Sequence, residues 1–342
     1  MSAHDRPILS IVIPTYNGRR LLEVCLASIV RHLPHGMNIE VIVADDASTD
    51  DTTDWLTARY PCVQVVRNAV NGGFVAAANT GLAAATGTYI QLLNNDTEVT
   101  AGWVEAGLKP LSDPTVGSVA PLVLVRSDPS RVDSAGDRYA LVGWPSKRGH
   151  GQSAARWLNH PSDRVFGASG SSAIYRAEAL AKVGHFDPIF GAYYEDVELA
   201  FRLRWAGYTC VYTPECRILH EVSASYDHGK PALQRRMSRN AEILFWTSLP
   251  TSWLIAGILP HLAFSVCQAA WRASRGRLTP FVQGKLDAFE VLKSVRARRK
   301  MRTNLGRQAV ARPHFPLVVS PLEDLRNHLR RPAEASSRRV RD

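Results

Sequence analysis

The 342 residues are 45% hydrophobic and 21% charged, which supplies apolar material for one large domain or two smaller ones and excludes wholesale disorder, a collagen-like chain and a coiled coil. The net charge of +10 is concentrated at one end: Arg272 to Asp342 hold 18 Lys and Arg against 6 Asp and Glu, leaving −2 for residues 1–271. The basic C-terminal fifth therefore suits an anionic partner, membrane surface or nucleic acid.

The chain opens MSAHDRPILS, without an apolar run of signal-peptide length, so a flexible segment 1–7 and a cytoplasmic location are expected. Ile8 to Pro14 is a continuous apolar run of the kind buried on both faces of a parallel sheet. Arg20 to His32 is amphipathic at helical spacing, and Ile39 to Ala44 reads as a second strand, followed by the acidic turn DDASTDDT and a helix through Trp55. Val63 to Arg67 is a third strand. Asn71, Gly72 and Gly73 open an alanine-rich helix, Phe74 to Ala85, ahead of a fourth strand, Tyr89 to Leu93. This alternation specifies a mostly parallel α/β sheet flanked by helices.

Beyond Thr100 the rhythm loosens. Trp103 to Leu111 reads as a helix, Val116 to Val125 as a strand pair, and Asp128 to Asp163 as a Gly/Pro/Arg-rich excursion suited to an active-site loop. Helices follow at Ala177 to Val183 and Val197 to Ala206, then short strands at Cys210 to Tyr212 and Arg217 to Leu219. Ile243 to Trp271 is a run of 29 residues without Asp, Glu, Lys or Arg, long enough to span a bilayer, but Pro250 and Pro260 interrupt it and arginines flank both ends. A broken or in-plane segment on the cytoplasmic leaflet is expected, peripheral or monotopic rather than spanning. From Val310 the Arg/Pro/Ser-rich sequence predicts disorder. Cys25, Cys62, Cys210, Cys216 and Cys267 form no C-x-x-C pair, which argues against a disulfide framework and a zinc knuckle.

In an open α/β sheet, ligands meet the residues that follow each strand. After the first come Pro14, Thr15, Tyr16, Asn17 and Gly18, with no G-x-G-x-x-G, which argues against a dinucleotide dehydrogenase. After the second come Asp45 and Asp46, able to accept hydrogen bonds from a ribose or base, or to cap the following helix. After the fourth come Asn94, Asn95, Asp96, Thr97 and Glu98, where a carboxylate can hold a divalent cation across a diphosphate. Trp144 and Trp157 are open to two readings, stacking on a sugar or packing.

IVIPTYNGRRLLEVCLASI, VIVADDASTDDT, NGGFVAAANTGL, YIQLLNNDTEV, GASGSSAIYRAEALAKVGHFDPIFGAYYEDVELAFRLRWAGY and ILHEVSAS occur in order from Ile8 to Ser225. Together they resemble family 2 glycosyltransferases of the GT-A fold, in their rhamnosyltransferase-like branch. The resemblance implies a Rossmann-like catalytic domain at 8–230; beyond it, the apolar run and the basic composition read as a helical membrane-associating region at 231–309 and a basic tail at 310–342. It also implies inverting transfer of a sugar from a nucleotide-sugar donor to a hydroxyl of a glycan or lipid-linked acceptor, assisted by Mn²⁺ or Mg²⁺.

By the same resemblance Pro14, Thr15, Tyr16, Asp45, Asp46 and Asn95 fall around the nucleotide, and Asn71, Gly73, Phe74 and Asn79 in the segment closing over the donor. Asp96 and His220 fall at the metal, with Asn94 standing where the family commonly has a first carboxylate. Asp196 falls at the base that takes the acceptor proton, with Glu195 as the alternative base. The Asn94 departure leaves a second reading: an inactive glycosyltransferase-like membrane scaffold or a nucleotide-sugar-binding protein. A nucleic-acid partner is not expected, because the basic residues lack interleaved aromatics or a recognition-helix module.

Overall fold

The structure, a computed structural model, describes residues 6–221 and 230–318. β1 (Leu9–Thr15), α1 (Arg19–His32), β2 (Ile39–Asp45), α2 (Thr52–Arg59), β3 (Gln64–Arg67), α3 (Phe74–Ala84) and β4 (Tyr89–Leu92) alternate as predicted. β1 is buried along its whole length and lies parallel between β2 and β4. Its side chains alternate between two cores: Leu9, Ile11 and Ile13 pack with Leu22, Cys25 and Leu26 of α1, and Val12 packs with Val75, Ala78 and Leu82 of α3. The small residues of α3 permit close approach: a Cβ on Gly81 would sit 2.4 Å from a methyl of Val12.

The second half is β5 (Thr97–Val99), α4 (Trp103–Leu108), β6 (Val116–Val125), β7 (Asp128–Ser134), β8 (Asp137–Ala140), β9 (Trp144–Lys147), α5 (Ala154–Leu158), β10 (Asp163–Val165), β11 (Ile174–Arg176), α6 (Ala177–Val183), α7 (Glu195–Trp205) and β12 (Thr209–His220). The ten-stranded sheet has the order β10-β12-β6-β11-β4-β1-β2-β3, with β5 on β12 and β7 on β6. β11 runs antiparallel between β4 and β6, while β12 is parallel to β6. The expected strand pair at Val116 to Val125 is one continuous strand. The two short strands expected near Cys210 and Arg217 are both part of β12, interrupted by a register shift after Thr213. The 128–163 excursion is structured, and the β8–β9 hairpin inside it pairs Asp137 with Lys147.

α8 (Pro231–Ser248), α9 (Thr251–Ala273), α10 (Leu278–Leu292) and α11 (Val295–Arg307) follow. The apolar run breaks at Pro250, whereas Pro260 is accommodated within α9. Its opening residues, Ile243, Leu244, Phe245 and Leu249, are buried against Phe190, Phe201 and Ala288; they belong to the protein core, which corrects the reading of the whole stretch as membrane-associating. The same contacts, with the buried Arg302–Glu198 ion pair between α11 and α7, join the 231–309 region to the catalytic sheet.

The expected disorder from Val310 is also corrected where the chain is described. Val310 N donates to Ala206 O, Val318 N to Tyr139 O, and Phe315 packs on Trp205, so residues 310–318 strap across the domain. The rest of the tail, 319–342, and the segment 1–5 lie outside the described residues. All five cysteines are free thiols, with Cys25, Cys210 and Cys216 buried.

Candidate active site

The carboxyl ends of β1 and β2 lie in register, Thr15 beside Asp45, and the two adjacent acids there do different work. Asp45 accepts from Ser48 N at 3.1 Å, from the Ser48 hydroxyl and from Thr53 Oγ1 at 3.3 Å, with Arg67 Nε at 3.4 Å. It builds the turn into α2. Asp46 accepts from Asn68 Nδ2 at 2.7 Å, Gly72 N at 3.0 Å and Gly73 N at 2.7 Å, so it holds the glycine turn that starts α3, where Gly73 has a φ of +81°. Both acids are buried.

The Asn79 amide is engaged at both ends by the Phe186 backbone, at 2.8 and 3.0 Å, which ties α3 to the loop at Phe186. Asn95 Nδ2 donates to Thr15 Oγ1 at 2.9 Å, and Gly18 fits because any Cβ there would meet these two groups. Pro14 is buried in β1, while the ring of Tyr16 and the side chain of Asn71 are exposed and Phe74 is half-buried. These last three are the groups at this end with surface to offer a ligand.

β4 delivers Asn94 and Asp96. Asn94 Oδ1 is buried without a hydrogen-bond partner among the described residues, an arrangement that is costly unless a cation or water completes it. β12 ends at His220, whose Nε2 lies 3.2 Å from Asp96 Oδ1 and whose Nδ1 lies 3.0 Å from Asp133 Oδ2. Burial alone would lower the His220 pKa, but the carboxylates of Asp133 and Asp96 outweigh it and push it up to about 9.

Asp133 is fully buried, with Lys147 Nζ at 2.8 Å and His150 Nδ1 at 3.2 Å; against the opposing effect of burial, the Lys147 charge and the hydrogen bonds of His150 and His220 keep its carboxyl well below the ordinary value. Among the described residues no three His, Cys, Asp or Glu side chains form a cage for a metal. The chemistry still fits a divalent cation of the kind that takes one or two protein ligands and fills the remaining positions from a diphosphate and water.

Asp196 lies in the first turn of α7. Its Oδ2 accepts from Gly170 N and its Oδ1 from Val197 N, both at 2.8 Å. Burial raises its pKa and these amides partly offset that. Among the described residues Glu195 Oε2 and Asp137 Oδ2 are buried without a hydrogen-bond partner; burial, and then the charge of Asp196, pushes both carboxyls well above their ordinary range. Lys147 pairs with Asp133, and Asp133, Asp137 and Asp196 raise its pKa against the effect of burial.

The two ends of the site meet through consecutive residues: Asn94 N donates to Ser171 O at 2.9 Å, and Gly170 N donates to Asp196. The segment that leads from Asn94 to Asp96 and the first turn of α7 therefore share one short loop. Asp133, Asp137 and Lys147 were not singled out from the sequence, because nothing in a Gly/Pro/Arg-rich stretch announces that its hairpin folds back on the sheet; the only local sign is a Gly-punctuated acid–lysine pair at hairpin spacing. Glu198 is structural, bound by Arg202 and Arg302. Trp144 packs on Phe264, and the buried Trp157 stacks on His160 under Arg148, so packing accounts for both tryptophans. Val222 to Ser225 of the HEVSAS motif lie outside the described residues.

Residues 10–184 match the profile of glycosyl transferase family 2. The N-acetylglucosaminyl-diphospho-decaprenol L-rhamnosyltransferase of Mycobacterium tuberculosis is 29% identical over 310 residues, covering 81% of this chain and 99% of that protein. The pre-mycofactocin glycosyltransferase of the same species is 30% identical over 64% of this chain and 45% of its own length. Among solved structures, a mannosyltransferase from Pyrobaculum calidifontis, in complex with GDP-Man and Mn²⁺, shares the fold with a TM-score of 0.53 and 24% identity, over 88% of this chain and 85% of that one.

Proposed function

The chain belongs to glycosyl transferase family 2, and from that premise we propose that it transfers a sugar, with rhamnose the best-supported choice, from a nucleotide-sugar donor to a hydroxyl of a lipid-linked or cell-surface glycan acceptor, inverting the anomeric centre. The observation that carries this reading is that the segment bearing Asp96 and the Asp196 carboxylate bond consecutive residues of one loop: Asn94 N, two residues before Asp96, donates to Ser171 O, and Gly170 N donates to Asp196 Oδ2. The full-length match to a decaprenyl-linked rhamnosyltransferase supports the sugar and the acceptor class.

Asp196 takes the proton from the acceptor hydroxyl as its oxygen attacks the anomeric carbon, and the nucleoside diphosphate leaves from the opposite face. Its raised pKa makes it a stronger proton acceptor than an ordinary carboxylate. Glu195 is the alternative base. Asp96 and His220 would hold a divalent cation, Mn²⁺ or Mg²⁺, with the Asn94 amide oxygen beside them, and such a cation supplies charge neutralisation of the departing diphosphate. Tyr16, Thr15, Asn95, Asn71 and Phe74 border the space for the nucleotide; Asp45, Asp46, Gly73 and Asn79 fix the loops around it.

The acceptor reading agrees with the outer surface. Ile255, Leu259, Leu262 and Val266 of α9, and Leu278, Val282, Leu286 and Phe289 of α10, are exposed at helical spacing. Arg272 closes the last turn of α9, and Arg275 and Arg277 sit in the connection to α10. α9 is long and apolar enough to cross a bilayer, but its buried residues, Gly257 and His261, lie mid-helix. His261 Nε2 is 3.1 Å from Glu242, which also binds Lys285. A spanning orientation would carry this charged group to bilayer depth; an in-plane one leaves it in the protein and turns the apolar faces to an anionic leaflet.

The test is a thermal-shift screen of uridine-, guanosine- and thymidine-diphosphate sugars with and without Mn²⁺, followed by transfer to a polyprenyl-diphosphate N-acetylglucosamine acceptor. Metal-dependent stabilisation by a nucleotide sugar and an inverted product are expected. A folded protein that no nucleotide sugar stabilises, or a product retaining the donor configuration, sinks the reading.

A further inference from the structure

The turn that presents Asp196 is held in an uncommon conformation from outside the sheet. Tyr193 and Tyr194 are consecutive non-glycine residues with φ of +70°, and Gly191 before them has φ of +65°. Two side-chain-bearing residues in the left-handed region persist only where their surroundings over-determine them. The determinant is on α8: Asn240, fully buried, points its Nδ2 at the carbonyls of Phe190 at 2.9 Å, Ala192 at 3.0 Å and Tyr193 at 2.8 Å. Arg239 adds a bond to Ile189 O at 2.7 Å and fixes the amide by donating to Asn240 Oδ1 at 3.1 Å. On its other side the turn meets the donor end of the site, because Gly191 O accepts from Val75 N of α3.

We infer that Asn240 is a positioning residue for the base: its amide gathers three carbonyls of the turn, fixes the Tyr193–Tyr194 conformation, and so aims Asp196 at the acceptor. The inference rests on Asp196 being the base. It makes α8, which lies beyond the matched family segment at 10–184, part of the catalytic assembly as well as the support for the helices facing the membrane. A group that acts only by aiming another should alter turnover more than donor binding.

The experiment uses the full chain. Asn240→Leu keeps the side-chain volume and removes the donors, and Asn240→Ser keeps one donor in a smaller side chain. Ser238→Ala is the control, since it removes a bond of the same helix to Phe281 O of α10 at 2.8 Å without touching the turn. The two readouts are hydrogen exchange at Gly170 N and Val197 N, the amides that report Asp196 in place, and steady-state hydrolysis of the nucleotide sugar giving the largest thermal shift.

Asn240→Leu should speed exchange at both amides about tenfold or more and lower kcat about 10²-fold, with donor KM changed by no more than about twofold. Asn240→Ser should fall between, and it carries the test if the leucine variant does not accumulate. Ser238→Ala should leave kcat and both amides unchanged. Wild-type kcat and protection in a folded Asn240 variant, or an equal loss of kcat in Ser238→Ala, overturns the inference. Asp196→Asn runs alongside: if it retains full turnover, the base assignment fails and the inference with it. If it abolishes turnover while the Asn240 variants stay active, only the role of Asn240 fails.

Discussion

At the scale of single residues, the adjacent acids separate by what they touch. Asp196→Asn preserves the bonds from Gly170 N and Val197 N but removes the proton acceptor, so kcat should fall by about 10² or more with donor affinity retained; single-turnover kinetics with a titration of donor binding distinguishes these terms. Asp96→Ala should weaken Mn²⁺-dependent donor binding, and equal affinity with and without Mn²⁺ in both proteins would remove that role. Asp133→Asn tests the support behind His220: metal affinity should drop about 10- to 100-fold, because the carboxylate that fixes the imidazole is lost. Isothermal titration with Mn²⁺ measures it without turnover.

At the scale of elements, α8, α9 and α10 are tied by one buried group. Glu242 accepts from His261, Lys285 and Trp246 Nε1. Burial alone would raise its pKa, but His261 and Lys285 outweigh this and hold it at about 2, against an ordinary 4.5. Because the folded value is the lower one, the carboxylate contributes its full stability above pH 4.5 and loses it as pH falls from 4.5 toward 2. The shift corresponds to about 3 kcal/mol. Glu242→Gln should therefore lower Tm at neutral pH and flatten the decline of Tm across that acidic window, which calorimetry between pH 2 and 7 reads directly.

For the whole molecule, the asymmetry of charge found in the composition becomes a surface with a direction. The apolar stripes of α9 and α10 and the arginines between them face away from the sheet, so replacing Leu259 and Val266 by lysine should leave the fold and nucleotide-sugar hydrolysis intact. Sedimentation with vesicles containing phosphatidylglycerol should nevertheless be lost. Wild-type sedimentation should itself decrease with added salt, since surface attraction between the basic turn and anionic lipid is screened. A double variant that still sediments like the wild type would count against this docking face.

The strands, the helices around them and the order of the family motifs were legible because they are local: continuous apolar runs, helical spacing and glycine turns act over a few residues. The identity of Asp96 and Asp196 as the leading acids came from those same motifs. What no local pattern carried was which side chains are already engaged. Asn79 reads as a ligand-facing amide and binds the Phe186 backbone. Asp133, Asp137 and Lys147 read as loop residues and enter the site because the β8–β9 hairpin folds onto the sheet. Asn240 reads as one polar residue ahead of an apolar run, yet packing brings it to three carbonyls some fifty residues earlier in the chain. Sequence by itself determined the scaffold and the kind of chemistry, since secondary structure and strand-end motifs are set by near neighbours. Only tertiary structure decided the partners, because burial and hydrogen bonding between distant segments exist once the chain has closed on itself.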